Sequence, residues 1–374
     1  MPQKRSLLYS VLTAALAFFG AQTSRAQSQP LHYIFQTGTE GYTCFRIPAI
    51  LQTTKGTLLA FAEARKNSCK DEGRIDLVVR RSTDKGLTWG PLITAWSDGA
   101  NTCGNPVPVL DKNTGAVVLL MTWNLATDAI RTINAGTSTD TRRVFITRST
   151  DDGLHWQQPA EITSDVKPPS WGWYATGPCH GIQVSTGKYK GRLVIPCDFM
   201  QSGPGVSHAS HSHVIWSDDG GAHWKLGGIV DIPGVNECSV AELSDGSLLL
   251  NMRSKPYRRT ARSTDGGMSW TTDQEDSTLL DPACQGSMLS AATTDGVSLY
   301  FSNPSAPTRT NMTIHLSGDG GRHWQRSHQV YSGPSAYSDL VMPDKDHIGI
   351  LYEAGLYTPY EGIAYTAIDI NDLK

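Results

Sequence analysis

Five copies of one eight-residue pattern, Ser-x-Asp-x-Gly-x-x-Trp, constrain the fold of this 374-residue chain more than any other feature. The copies are STDKGLTW (82–89), STDDGLHW (149–156), SDDGGAHW (217–224), STDGGMSW (263–270) and SGDGGRHW (317–324). Their starting positions are 67, 68, 46 and 54 residues apart. A repeat of roughly 50 residues is typical of a propeller or of another array of small structural units. The spacing therefore predicts a fold built from repeats.

Each copy, which we call an Asp box, has the composition of a tight turn between two strands. Asp side chains hydrogen-bond nearby backbone amides, and Gly accepts a positive φ. Short β-rich runs, such as RIDLVVRR and RRVFITR, precede the boxes. The closing Trp offers a large face for packing on a neighbouring unit. Binding of sugar or metal by the boxes is the alternative, but the turn chemistry favours a structural role.

The boxes and the strands around them together predict an all-β, six-bladed β-propeller. Gly-rich links and short apolar runs fill the sequence between the boxes, and we find no convincing amphipathic helix. Five blades would each carry an Asp box between their two outer strands, and a sixth blade without a box would close the ring. Without a linker or a shift in composition, we expect a single domain over residues 27–374.

The first 26 residues have the pattern of an export signal. Two basic residues (4–5) precede the apolar stretch LLYSVLTAALAFFGA, and SRA (24–26) supplies small residues at a cleavage site. We expect cleavage after Ala26 and a periplasmic or secreted protein with no stable membrane insertion. An uncleaved membrane anchor is the alternative interpretation.

Charge and cysteine content narrow the classes of partner and cofactor. The formal net charge is −3 and the basic residues are scattered, which argues against nucleic acid as a partner. The seven cysteines (44, 69, 103, 179, 197, 238 and 284) show neither C-x-x-C nor a zinc spacing. An oxidising compartment permits disulfides, although the sequence does not reveal their pairing. No cofactor is expected, and no carboxylate cluster calls for calcium.

Arg46 lies within the apolar run GYTCFRIPAI (41–50), which reads as a strand entering the core. A buried guanidinium group needs an anionic partner. Arg253 in LLLNMRS and Arg309 in SAPTRTNMTI have similar surroundings. Three arginines from three blades could hold one carboxylate. Taken singly, each arginine fits a surface or packing role better than a ligand-binding one.

These motifs, taken in order, resemble those of the exo-α-sialidase (neuraminidase) family. The resemblance rests on FRIP, the five Asp boxes, NEC…AEL, LLLNMRS and SAYSDL, and it runs from Arg46 to the LYEAG segment. It implies a six-bladed propeller in which Arg46, Arg253 and Arg309 grip the carboxylate of sialic acid. It also implies that sialylated glycans are the substrates.

The resemblance further implies three catalytic residues. Tyr337 in PSAYSDL matches the nucleophile of the family, Glu237 in VNECSVAEL matches its activating base, and Asp71 matches its acid/base residue. A neutral tyrosine suits this substrate, because a carboxylate nucleophile would approach the substrate's own carboxylate against like charge. The residues alone favour other readings, namely a half-buried strand tyrosine for Tyr337 and a solvated turn residue for Glu237.

Three more positions take their roles from the same resemblance. Arg65 in FAEAR would contact substituents of the sugar ring, and Asn105 in GNPVPV would line the pocket. Glu353 in LYEAG would pair with Arg46 from behind and hold it rigid.

The sequence thus predicts a secreted, retaining exo-α-sialidase. A transferase, acting on another sugar or intramolecularly, would use the same residues. A non-catalytic sialic-acid-binding propeller is the third hypothesis, and its expected mark is the loss of Asp71, Glu237 or Tyr337. Linkage preference, natural glycan and oligomeric state are not readable from the sequence.

Overall fold

The computed structural model describes residues 31–271, 274–293 and 296–373, and most of its regular structure is β-strand. The all-β prediction is therefore confirmed. The expected export signal (1–26) lies outside the described residues. Within the described ranges, no helix is long and apolar enough to cross a membrane.

In the described part of the chain, the strands follow one another with two short helices between them. In chain order they are β1 (Tyr33–Gln36), β2 (Cys44–Gln52), β3 (Leu58–Arg65), β4 (Ile75–Ser82), β5 (Ile93–Trp96), β6 (Thr102–Asp111), β7 (Ala116–Asn124), β8 (Arg143–Ser149), β9 (Ala160–Glu161), β10 (Trp171–Thr176), β11 (Ile182–Gln183), β12 (Leu193–Gln201), β13 (Ser210–Ser217), β14 (Lys225–Ile229), β15 (Cys238–Glu242), β16 (Leu248–Met252), β17 (Tyr257–Ser263), β18 (Gln274–Leu280), β19 (Ser287–Thr293), β20 (Gly296–Pro304), β21 (Thr310–Ser317), β22 (Arg326–Val341), β23 (His347–Ala354) and β24 (Gly362–Asp369). The helices are α1 (Ile130–Ala135) and α2 (Thr163–Val166), and a 3₁₀ turn spans Ile370–Asp372.

Consecutive strands pair antiparallel in groups of about four. The groups β2–β5 and β6–β9 share one sheet, because β4 also makes a single parallel contact with β6. Strands β10–β14 and β15–β18 form two further sheets. The long strand β22 joins two groups, since its first half pairs with β21 and its second half with β23. Strand β1 pairs with β24, so the N-terminal strand completes the group that contains the C-terminal strands.

The Asp boxes are the turns between the last two strands of five groups: β4/β5, β8/β9, β13/β14, β17/β18 and β21/β22. The same hydrogen bond recurs in all five boxes, where a glycine amide donates to the hydroxyl of the first serine at 2.8 or 2.9 Å. The pairs are Gly86–Ser82, Gly153–Ser149, Gly221–Ser217, Gly267–Ser263 and Gly321–Ser317. The serine and glycine of the pattern recur because each turn uses this same hydrogen bond.

The boxes also connect neighbouring groups of strands. Gly153 has a φ of +81°, and a Cβ added there would lie 2.8 Å from the side chain of Leu59 in the preceding group. Trp156 of the same box packs edge-on against Phe61, with ring centroids 5.7 Å apart. A larger residue at position 153 would therefore disturb both the turn and the packing between groups.

A bulge in β2 sets the direction of Arg46. The pairing register with β3 shifts between Arg46 and Ala49, and Ile47 adopts a φ of +58°. A β-branched residue rarely takes this conformation, and such outliers concentrate at functional sites. The amide of Ile47 donates to Glu353 Oε1 at 2.9 Å, which holds the bulge in position. The bulge thus directs the Arg46 guanidinium group toward Glu353.

Candidate active site

Eight of the nine predicted site residues line one cavity of about 460 Å³. They are Arg46, Arg65, Asp71, Asn105, Glu237, Arg253, Arg309 and Tyr337. The ninth, Glu353, is completely buried behind Arg46. Residues far apart in the sequence therefore meet in one place.

Arg46 and Glu353 form a bidentate ion pair beneath the cavity. Arg46 Nε donates to Glu353 Oε1 at 2.8 Å, and Nη2 donates to Oε2 at 3.1 Å. Burial disfavours the charged guanidinium group, but the Glu353 carboxylate more than compensates, so the pKa of Arg46 is raised. The third nitrogen, Nη1, makes only a long 3.9 Å ion pair with Asp71. Arg46 can therefore offer Nη1 to a ligand without losing Glu353.

The other two arginines of the predicted triad are also anchored. Arg253 Nη1 pairs with Glu237 and lies 3.1 Å from Tyr337 Oη. Arg309 donates to Tyr360 Oη at 2.9 Å and to a backbone carbonyl at 3.0 Å. The Tyr360 ring also packs against the guanidinium group of Arg46, 4.3 Å from its centre. These contacts restrict the arginine side chains before any ligand binds.

Tyr337 and Glu237 form the shortest contact between two predicted catalytic residues. Tyr337 Oη donates to Glu237 Oε1 at 2.5 Å. Burial and then the negative charge of Glu237 raise the pKa of Tyr337 well above its ordinary value, while Arg253 and Arg46 oppose the shift. The phenol is therefore neutral at rest, with a proton acceptor already in contact. This is the arrangement that an activated nucleophile requires.

Asp71 lies on the loop between β3 and β4, at the open side of the cavity. Its side chain is 67% exposed and its Oδ1 lies 2.8 Å from Arg65 Nη1. Some desolvation opposes ionisation, but the charges of Arg65 and Arg46 keep the pKa of Asp71 below its ordinary value. A disulfide between Cys44 and Cys69 ties the start of this loop to β2. These neighbouring charges therefore hold Asp71 as a carboxylate.

Asn105 faces the cavity at the end of a buried polar chain. Its Oδ1 accepts hydrogen bonds from Arg142 and from Thr122 Oγ1, and its backbone amide donates to Glu63 Oε1 at 2.8 Å. Glu63 in turn pairs with Arg65 at 2.6 Å. This chain fixes the orientation of both predicted substrate-contacting residues, Asn105 and Arg65.

The part of the chain that the structure describes contains no candidate metal site. No group of three or more His, Cys, Asp or Glu side chains is arranged there to hold an ion.

Comparison with known proteins gives a family for the chain. The model of the BNR repeat-like domain matches residues 56–350. An exo-alpha-sialidase of Aspergillus fumigatus is 31% identical over 350 residues, which cover 86% of this chain and 81% of that protein. The chain belongs to the sialidase family. A sialidase of Bacteroides fragilis is 33% identical over 360 residues, which cover 90% of this chain but only 64% of the length of that relative.

Solved structures of sialidases have the same fold. Hadza microbial sialidase Hz136 superposes with a TM-score of 0.83 at 31% identity, over 91% of this chain and 69% of that chain. The intramolecular trans-sialidase of Ruminococcus gnavus superposes with a TM-score of 0.75 at 20% identity, over 92% and 98% of the two chains. The second likeness bears on the fold alone. Both support a β-propeller-type fold for this sialidase-family protein.

Further residues of this sialidase-family protein that the sequence reasoning missed also line the cavity, among them Glu63, Arg142, Trp173, Asp198 and Tyr360. Only Glu63 had a readable signal, because it lies two residues from Arg65 on the same face of β3. Arg142, Trp173, Asp198 and Tyr360 have unremarkable sequence surroundings, and only the folded chain brings them to the cavity.

Proposed function

We propose that this protein is a retaining exo-α-sialidase, which hydrolyses terminal α-linked sialic acids from glycoconjugates through a covalent sialyl-tyrosine intermediate. The observation that carries the proposal is the meeting of three arginines with the Tyr337–Glu237 pair in one cavity. Three guanidinium groups suit a carboxylate ligand. A buried tyrosine that contacts a carboxylate suits nucleophilic attack on the carbon next to that ligand carboxylate.

Binding begins with the substrate carboxylate. Arg46 lines the cavity, and its Nη1 would take the ligand while Nε and Nη2 remain on Glu353. Arg253 and Arg309 flank the same space. The three groups would orient the sugar with its anomeric carbon above Tyr337 Oη, so that part of the entropic cost of reaction is met on binding.

Bond exchange then involves three side chains. Tyr337 Oη attacks the anomeric carbon while Glu237 takes the phenolic proton, and the glycosidic bond breaks. Asp71, once protonated, gives its proton to the departing oxygen. In the second step water attacks the same carbon, Asp71 takes the proton from that water, and Tyr337 leaves with its proton returned by Glu237.

The electrostatics of the cavity support this division of roles. The phenol of Tyr337 is held neutral by burial and by Glu237, so it does not repel an anionic substrate. Arg253 contacts both Glu237 and Tyr337, where its positive charge can stabilise negative charge that develops on the phenol oxygen.

The fold and the location of the protein are parts of the same proposal. We infer that the groups of four strands are the six blades of one domain over residues 27–374, an interpretation supported by the pairing of β1 with β24. Export to the periplasm or the medium is supported by the Cys44–Cys69 disulfide, because disulfides persist in oxidising compartments.

The test is NMR of the reaction with a simple sialoside. Hydrolysis with retention predicts free sialic acid whose first-formed anomer has the α configuration of the substrate. An anhydro product, or transfer of sialic acid to an added sugar, would show that the protein is a transferase and not a hydrolase. Binding without turnover would support the third hypothesis, a non-catalytic sialic-acid-binding propeller.

A further inference from the structure

Asp198 is a buried carboxyl group in the cavity wall that the proposed reaction does not use. It lies on β12, opposite Ala175 of β10 and Ser212 of β13, and is only 3% exposed. Its Oδ1 has no hydrogen-bond partner in the part of the chain that the structure describes. The residue nevertheless lines the same cavity as the arginine triad.

A buried carboxyl oxygen without a partner is unfavourable, and most such groups in folded proteins find one. The neighbouring Arg142 is already satisfied, since it hydrogen-bonds Asn105, Asn124 and the carbonyl of Tyr174. The Oδ1 atom of Asp198, in the cavity wall, therefore remains available to hydrogen-bond a ligand.

The charges around Asp198 determine the form in which it meets that ligand. Burial and then the negative charge of Glu237 raise the pKa of Asp198 well above its ordinary value, against the opposing effect of Arg253 and Arg142. The other titratable groups beside it are the phenol of Tyr174 and the thiols of Cys197 and Cys238. A neutral carboxylic acid can both donate and accept a hydrogen bond, and it does not repel an anionic sugar.

We propose that Asp198 is a further substrate-contacting residue, which hydrogen-bonds either the acylamino carbonyl or one of the two outer hydroxyl groups of the three-carbon side chain of the sialic acid. The inference rests on the proposed function, in which the triad takes the carboxylate and Tyr337 takes the anomeric carbon. The substituents that remain are an acylamino group and hydroxyl groups, some of them on a three-carbon side chain. These groups are neutral and pair with a neutral acid that both donates and accepts.

The test compares kcat/KM for three sialosides that share one leaving group. The first is the N-acetyl parent. The second has its side chain shortened to one carbon by periodate oxidation and borohydride reduction, and the third carries a hydroxyl in place of the N-acetyl group. Asp198→Ala should lower kcat/KM for the parent at least tenfold, mainly through KM. For the analogue that lacks the group contacted by Asp198, the same substitution should have an effect of less than threefold.

Asp198→Asn tests whether a neutral partner suffices, because an amide also donates and accepts. We expect it to retain most of the activity on the parent sialoside. Asp111→Ala is the matched control, since Asp111 is equally buried at 3% but lies outside the cavity. This control should leave the ratios of kcat/KM among the three substrates unchanged. If Asp198→Ala does not fold, Asp198→Ser supplies the same substrate comparison.

Equal losses on all three sialosides would overturn the inference, because a merely structural role does not depend on the substituent. Unchanged kinetics on the parent, or an Asn variant as impaired as the Ala variant, would do the same. A wild-type protein that is inactive on every sialoside would instead refute the proposed function. The two failures are thus distinguishable.

Discussion

The hydroxyl of Tyr337 lies 2.5 Å from Glu237 Oε1, although 100 residues separate the two positions in the sequence. Arg253 contacts both groups, which makes a three-membered cluster at the cavity wall. A phenol with a raised pKa is a poor nucleophile unless its proton leaves as attack proceeds. The contact with Glu237 supplies a route for that proton.

Trapping of the covalent intermediate tests the role of this pair. A 2,3-difluoro sialic acid analogue should label Tyr337, because fluorine slows the second step more than it prevents the first. Peptide mapping should find the added mass on the SAYSDL segment. Glu237→Gln should slow labelling by roughly 10²- to 10⁴-fold, the usual worth of a general base. Glu242→Gln, a change at the far end of strand β15, which begins directly after Glu237, lies outside the cavity and should label at the wild-type rate. A label on a carboxylate would refute the mechanism.

Arg46 should contribute strongly to substrate binding. A charge-assisted hydrogen bond is worth roughly 1.5–3 kcal/mol, so Arg46→Ala should weaken binding by roughly 10- to 150-fold. Steady-state kinetics on a sialoside and calorimetry with an unreactive analogue would measure the loss. Lys85→Ala is the control, since this lysine is 62% exposed and pairs with Asp344 away from the cavity. Unchanged KM in Arg46→Ala would remove the idea of a carboxylate clamp.

Glu353 should contribute strongly to the free energy of unfolding. Glu353→Ala would leave a buried guanidinium group without its counter-charge, and the amides of Ile47 and Tyr337 without an acceptor. Loss of one partner of a buried pair costs about 3–5 kcal/mol, whereas loss of an exposed pair costs about 1 kcal/mol or less. Urea unfolding of Glu353→Ala and Lys85→Ala would show this difference. Similar unfolding free energies for the two variants would contradict it.

The sequence predicted the all-β fold and the positions of the Asp boxes because a repeated turn has a local chemical signature. Pairing of Arg46 with Glu353 spans 307 residues and was predicted only from family resemblance. The partner of Cys44 was not predicted, because cysteine spacing alone does not specify pairing. The division of β22 between two groups of strands was also missed, since a long strand carries no mark of where its partner changes.

The cavity wall was the least predictable part of the candidate site. Asp198 and Tyr360 face the cavity from elements whose local sequence reads as ordinary strand and loop. Their importance depends on neighbours distant in the sequence, such as Arg309 for Tyr360. Local patterns reveal strands and turns, whereas the partners of a buried polar group emerge only from the packed chain.

Asp71 should be needed most for substrates with poor leaving groups. Its proposed task in the first step is to protonate the departing oxygen, which an activated aryl sialoside hardly requires. Asp71→Ala should therefore lower kcat/KM on a natural glycan by roughly 10²- to 10⁴-fold and on an aryl sialoside far less. Measurement of both substrates under identical conditions gives the ratio. Equal losses on the two would show that Asp71 is not the acid.

Substrate binding should also change the protonation of Asp71. Burial opposes ionisation of Asp71, but Arg65 and Arg46 keep its pKa below the ordinary value, so it is ionised, yet the first step needs its proton. A ligand carboxylate that binds Arg46 Nη1 would weaken the attraction between Arg46 and Asp71, whose atoms lie 3.9 Å apart, and would add a negative charge nearby. Both effects raise the pKa of Asp71 in the complex.

Whether the protein takes up or releases a proton on binding follows from the pKa of Asp71 in the free protein and its pKa in the complex. Between the lowered pKa of the free protein and the higher pKa of the complex, binding must take up a proton, and well above both values it takes up none. Titration with 2-deoxy-2,3-didehydro sialic acid near pH 4, in buffers of different ionisation enthalpy, should therefore show net uptake in the wild type. Asp71→Asn keeps the shape of the side chain without the titrating group, so uptake should fall by the amount that Asp71 contributes. Equal uptake in the two proteins would mean that the proton is bound elsewhere and that Asp71 does not acquire its catalytic proton on substrate binding.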